Sequence, residues 1–122
     1  MARQAANEPD PITAQRGKEL AARLERAGWR VAERIERGLE WWAAEVWMIE
    51  SVWAPNGVRA YLTFLTDPQY ETFGSRVWAL GMSDKRPRTV ADATTAGTFT
   101  LRHCWPRELD ALVQCLAARR SL

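Results

Sequence analysis

Residues 44–68 read AEVWMIESVWAPNGVRAYLTFLTDP, and the fold turns on how this stretch pairs with itself. Two β-rich runs flank Pro55-Asn56-Gly57, a strong hairpin signal. In the second arm Val58, Ala60, Leu62 and Phe64 share one face, and Arg59, Tyr61 and Thr63 share the other. Such alternation means that one face packs on a core and the other meets water or a partner. The first arm is apolar on both faces: Val46, Met48, Glu50 and Val52 against Trp47, Ile49, Ser51 and Trp53.

The turn decides which set joins the core. A two-residue turn at Asn56-Gly57 pairs Trp53 with Ala60 and Ile49 with Phe64, with Glu50 outside. A three-residue turn pairs Ala54 with Val58 and points Glu50 at the core beside Leu62. Pro55 favours the longer turn, since it fits a type I corner and lacks the N–H that a flanking I′ residue donates. Burial favours the shorter one, since an unpaired buried carboxylate costs several kcal/mol or shifts its pKa. The expectation is the three-residue turn, with Glu50 near the sheet edge or paired to an Arg. A solvent-exposed Trp47–Trp53 face is then the binding surface.

Outward from the hairpin, residues 1–9 are small and polar and read as a disordered tail. Residues 10–122 read as one α+β domain. Asp10-Pro11 starts a helix as N-cap and first helical residue, and Gly28 stops it. Leu20, Leu24 and Ala27 make its apolar stripe, which Ile12 extends; Glu19 and Arg23 form an i,i+4 ion pair on the other side. Val31, Ile35, Leu39 and Trp42 recur at helical spacing, and Glu33–Arg37 is a further i,i+4 pair, so residues 29–42 read as a second, short helix. Asp67-Pro68 ends the hairpin. A third strand follows over 76–83, apolar on both faces. Residues 84–97 form a long polar loop, expected to be mobile. Residues 98–103 alternate as a short fourth strand. Trp105-Pro106 opens the last helix, whose Leu109, Leu112, Val113 and Leu116 follow the i, i+3, i+4, i+7 pattern. The predicted fold is an antiparallel sheet of three to four strands, centred on the hairpin 44–66, with the N-terminal and C-terminal helices packed on one face.

Composition narrows function mainly by exclusion. The 122 residues are 47% hydrophobic and 26% charged, with net charge +2, as in an ordinary globular domain. No apolar run reaches the length of a membrane span, and the first nine residues carry no signal-peptide core, so a cytoplasmic location is the default. Cys104 and Cys115 do not make a disulfide framework. One His and two Cys fall short of a zinc ligand set, and no glycine-rich phosphate loop occurs. His103 and Cys104 are adjacent in an extended segment, so their side chains diverge and form no dyad. Glu50 is the one carboxylate singled out, because an apolar arm raises a carboxylate pKa.

No catalytic constellation, metal or cofactor is therefore expected. Seven tryptophans in a chain of this length suit both a small core and an interface. The function expected is a small intracellular protein-interaction or self-association module, a homodimer being one form. Its surface is Trp47, Trp53, Arg59, Tyr61 and Glu50, with free sheet edges also available for pairing. The alternative is weak nucleic-acid binding through Lys85, Arg86, Arg88, Arg102 and Arg107, with aromatic side chains stacking on bases. From Arg76 onward eight basic residues face four acidic ones, but a net +2 is low for that role. The order helix, three strands, helix resembles that of the double-stranded RNA-binding domain. The motif departs from it: Trp105-Pro106-Arg107-Glu108 stands where that family has a Lys-rich helix start.

Overall fold

The alternation of Ala60, Leu62 and Phe64 fixes the inner face of the sheet, since all three are buried in the main core. In the computed structural model, residues 11–36, 42–53, 58–66 and 77–120 are described. They form α1 (Pro11–Arg26), β1 (Trp29–Ile35), β2 (Ala43–Ser51), β3 (Arg59–Thr66), β4 (Val77–Ser83), α2 (Val90–Ala93), β5 (Gly97–Thr100) and α3 (Trp105–Arg120). The strands lie in the order β1-β2-β3-β4-β5, every neighbour antiparallel. The fold is thus the predicted α+β class, with five strands where three to four were expected.

The inner face is a continuous apolar layer. Across the rungs Trp47, Leu62 and Met82 align, as do Phe64, Leu80 and Phe99. Leu20 and Leu24 of α1, with Leu109, Leu112 and Leu116 of α3, close over them. Each such buried side chain contributes roughly 1.5–3 kcal/mol by leaving water. Thr13, not Ile12, continues the buried face of α1; Ile12 is exposed. Arg23 does not pair with Glu19. It reaches across to Asp110 of α3 at 2.7 Å, while Arg16 takes Glu19 at 3.2 Å. The ion pair between the helices holds them side by side on one face.

Residues 29–35 are a strand, not a helix. A bulge at Ala32 shifts the β1–β2 register, so Val31 opposes Ile49 on the inner face whereas Ile35 opposes Val46 on the outer one. The i,i+4 spacing of Val31 and Ile35 reflects two apolar surfaces separated by one inserted residue. Gly28 terminates α1 as expected, with φ +85°. Its carbonyl accepts the Val52 N–H at 2.9 Å, which ties the start of β1 to the end of β2.

The hairpin register differs from both options read in the sequence. Glu50 opposes Arg59, and Ser51 N donates to Val58 O at 2.9 Å, the last pairing before the connection. The expected Pro55-Asn56-Gly57 turn lies outside the described residues, as do residues 1–9, expected to be a disordered tail, the expected Asp10 cap and Arg37 of the expected Glu33–Arg37 pair. The strand parity is that of the shorter turn: Trp47 and Ile49 face inward and Glu50 faces outward. Ser51 closes the loop with its side chain as well, Oγ accepting the Val58 N–H at 3.0 Å.

The segment after β4, read as a mobile loop, instead folds back over the outer face. Thr89 caps α2 by accepting the Asp92 N–H, and Ala93 is fully buried. Ala93 joins Trp42, Ala43, Leu65 and Ala79 in a small second core. Gly81 makes this approach feasible: a Cβ there would lie 2.4 Å from the Ala93 carbonyl oxygen. The last strand stops at Thr100, short of the predicted His103. Cys104 takes φ +53°, and its carbonyl accepts the Glu108 N–H as α3 begins.

Candidate functional site

Both long helices cover the inner face, and the hairpin end of the outer one carries a cluster of exposed charge. Arg30, Glu50 and Arg59 stand on three adjacent strands in direct register. Arg30 Nη2 donates to one Glu50 carboxylate oxygen at 2.9 Å, and Arg59 Nε donates to the other at 3.0 Å. The Glu50 side chain is 14% exposed; those of Arg30 and Arg59 are 67% and 59% exposed. The Arg30 hydrogen bond, together with the charges of Arg59 and Arg30, holds the Glu50 carboxyl below its ordinary pKa despite partial desolvation. The raised pKa expected from an apolar arm does not occur, because β1 supplies a guanidinium on one side and β3 on the other. A carboxylate clamped this way is a fixed negative point, poorly suited to shuttling protons near neutrality. The next rung carries Glu33, Met48 and Tyr61.

The two tryptophans expected on this surface are elsewhere. Trp47 is buried on the inner face, its ring 4.9 Å from Phe64. Its Nε1 donates to Glu45 Oε1 at 2.6 Å, Arg34 Nε donates to the same oxygen at 2.6 Å, and the Arg34 guanidinium stacks 4.8 Å from the ring. The Glu45 hydrogen bond raises the Arg34 pKa, securing its charge. This cluster forms the rim of a cavity of about 290 Å³ between α1 and the sheet, floored by Ala14, Gly17 and Ala21. Trp53 is half-buried, edge-on to Trp29 at 5.6 Å. The predicted surface therefore keeps Glu50, Arg59 and Tyr61, loses Trp47 and Trp53, and gains Arg30, Glu33 and Met48. Arg30 could not be found from the sequence while residues 29–42 were read as a helix; only the strand register brings it opposite Glu50.

The five basic residues of the nucleic-acid alternative fall into two groups. Lys85, Arg86 and Arg88 line one concavity after the end of β4. Arg102 lies at the opposite end of that strand, its Nε donating to Val77 O at 3.0 Å, and Arg107 is exposed in the first turn of α3. A seven-residue strand, about 20 Å long, separates the two groups. They do not make one phosphate track.

His103 and Cys104 are exposed, and Cys115 is half-buried with its thiol 3.7 Å from Ala96 O; both cysteines are free thiols. Among the described residues no group of three or more His, Cys, Asp or Glu side chains is placed to hold a metal, and no helix is long and apolar enough to cross a membrane. No family model, no curated protein and no solved structure matches the chain.

Proposed function

We propose that this chain is an interaction module that associates with a second copy of itself through the outer face of β1–β3. The observation that carries the reading is the one-sided placement of α1 and α3. Among the described residues the only helix on the outer side is the four-residue α2, and its contacts are with β3 and β4. The rung of Ile35, Val46 and Thr63 is buried, so what remains is the hairpin end of β1–β3, a surface of mixed charge around Tyr61 and Met48. Such a surface complements itself in a two-fold arrangement, where one patch meets the same patch of its partner. Arg30 and Arg59 are more than half exposed and can reach a carboxylate of the second copy, with Glu33 an exposed acid opposite Met48 on the same face. Tyr and Arg supply the contact area and directional bonds typical of interface centres.

The face is a better surface for this than the sheet edges. Edge strand β1 is bulged and carries Arg30, Glu33 and Arg34; edge strand β5 has four residues. Bulges, charges and short strands all discourage edge pairing. A cytoplasmic setting belongs to the same proposal, since two free thiols suit a reducing compartment. Sedimentation velocity over a concentration series tests it. The wild type is expected to show a monomer–dimer equilibrium, and Arg59→Glu is expected to shift it to monomer with an unchanged melting curve. A strictly monomeric wild type at the highest soluble concentration overturns the reading.

A further inference from the structure

We infer that the concavity formed by residues 83–95 is a binding site for a compact, multiply charged anion of the phosphoryl type. The cavity measures about 540 Å³, large enough for a pyrophosphate group and more. Lys85, Arg86 and Arg88 line it together with Asp84, Asp92 and Thr95. Three cations facing two carboxylates would attract little if the charges were paired within the pocket. They are not. Asp84 is engaged by Arg119 of α3. Asp92 Oδ2 accepts the backbone N–H of Arg88. Among the described residues, Lys85, Arg86 and Arg88 have no carboxylate partner of their own. With Asp84 engaged by Arg119, the three cations stand against the Asp92 carboxylate alone, an excess of two positive charges. Such an excess concentrates anions, and Arg binds phosphoryl oxygens through paired N–H donors.

The cations stand on a braced frame. Ser83 Oγ donates to Lys85 O at 2.8 Å, which fixes the turn leaving β4. Thr89 caps α2, Thr95 Oγ1 donates to Asp92 O, and Ala93 sits against Gly81 on the sheet. The Arg119–Asp84 pair anchors the same turn to α3. A frame held from both sides presents three flexible cationic side chains from fixed positions, so less ordering accompanies binding. The separation of the two basic groups favours a compact anion over an extended polymer, because the second group lies at the far end of β4.

Isothermal titration of the full chain with pyrophosphate at low salt tests the assignment, with a short DNA duplex as a second arm. Saturable binding is expected that weakens with added salt. The double variant Arg86→Ala/Arg88→Ala should lose affinity by at least about tenfold. Arg107→Ala, outside the pocket, should leave it unchanged, and all variants should melt like the wild type. Duplex binding that pyrophosphate displaces also supports the site, showing that it accepts a phosphate from either source. Absence of saturable pyrophosphate binding, an equal loss in Arg107→Ala, or duplex binding indifferent to pyrophosphate would each overturn it.

Discussion

Replacing Gly28 by alanine should cost the fold about 3 kcal/mol, and the structure supplies both contributions. Gly28 has φ +85°, where an L-residue is disfavoured by about 1–2 kcal/mol. A Cβ there would also lie 1.8 Å from Trp53 Cζ3 and 2.4 Å from Trp53 Cε3. Trp53 cannot swing away without cost, because it stands edge-on to Trp29 at 5.6 Å, and forced overpacking typically costs about 1–3 kcal/mol. With an unfolding entropy of about 2.1 cal/mol/K per residue, a loss of 3 kcal/mol lowers Tm by about 12 °C in a chain of this length. Urea and thermal denaturation followed by far-UV circular dichroism measure both quantities. Trp53→Ala in the Gly28→Ala background should recover the packing share, leaving only the backbone cost, so a double-mutant cycle should show coupling of about 1–3 kcal/mol. A Gly28→Ala protein that melts within about 3 °C of the wild type would refute the tight Gly28–Trp53 approach and the left-handed helix end together.

Leu112→Asp places a carboxylate at a fully buried position of α3, and its cost is comparable to the whole stability of a typical domain; the variant should give an unfolded circular dichroism spectrum at neutral pH. Gly81→Val should push α2 off the sheet at a cost of about 1–3 kcal/mol, seen as lost amide-exchange protection at residues 90–96 while the β2–β3 amides stay protected. Glu108 accepts the Thr100 N–H at 2.9 Å and the Thr100 hydroxyl at 2.8 Å, and these bonds lower its carboxyl pKa from the ordinary 4.5. A depressed folded-state pKa contributes stability that is present above 4.5 and lost as pH falls through the folded value. Tm should therefore hold steady at mildly acidic pH and then decline, and Glu108→Gln should make that decline shallower.

Where one physical signal dominated, the sequence was readable. Helix α3 needs only the spacing of Leu109, Leu112 and Leu116, and the inner face of β3 needs only the alternation of Ala60, Leu62 and Phe64, because both join the main core. The outer face of β3, read as meeting water or a partner, is buried at Thr63 and Leu65. The hairpin register was not readable because β2 has two masters. The residues that follow it are claimed by the start of β1, through the Val52 N–H on Gly28 O and the Trp53 ring on Trp29. The chain therefore leaves β3 at Ser51, before the residues that advertise a turn. Strand β1 was misread because a bulge mimics helical spacing when both faces of the sheet are apolar. The candidate site followed from those two readings: Glu50 and Arg59 were found in the hairpin, their orientation was not, and Arg30 needed the register of a strand read as a helix. Trp47 was expected outside because the turn parity was reversed.

The order of strands in the sheet has a kinetic consequence. Each strand pairs with its neighbour in sequence, so each pairing closes only a short loop, and the entropic barrier to growing the sheet rises in small steps. The long closure is the one that brings α1 to the far end of the chain, where Arg102 Nη2 meets Thr13 Oγ1 across 89 residues and Arg23 meets Asp110. Until it forms, Leu62, Leu80 and Met82 have gained only part of their cover. The meander can zip up early from local contacts, whereas the sealing of its hydrophobic face waits on the two ends of the chain finding each other.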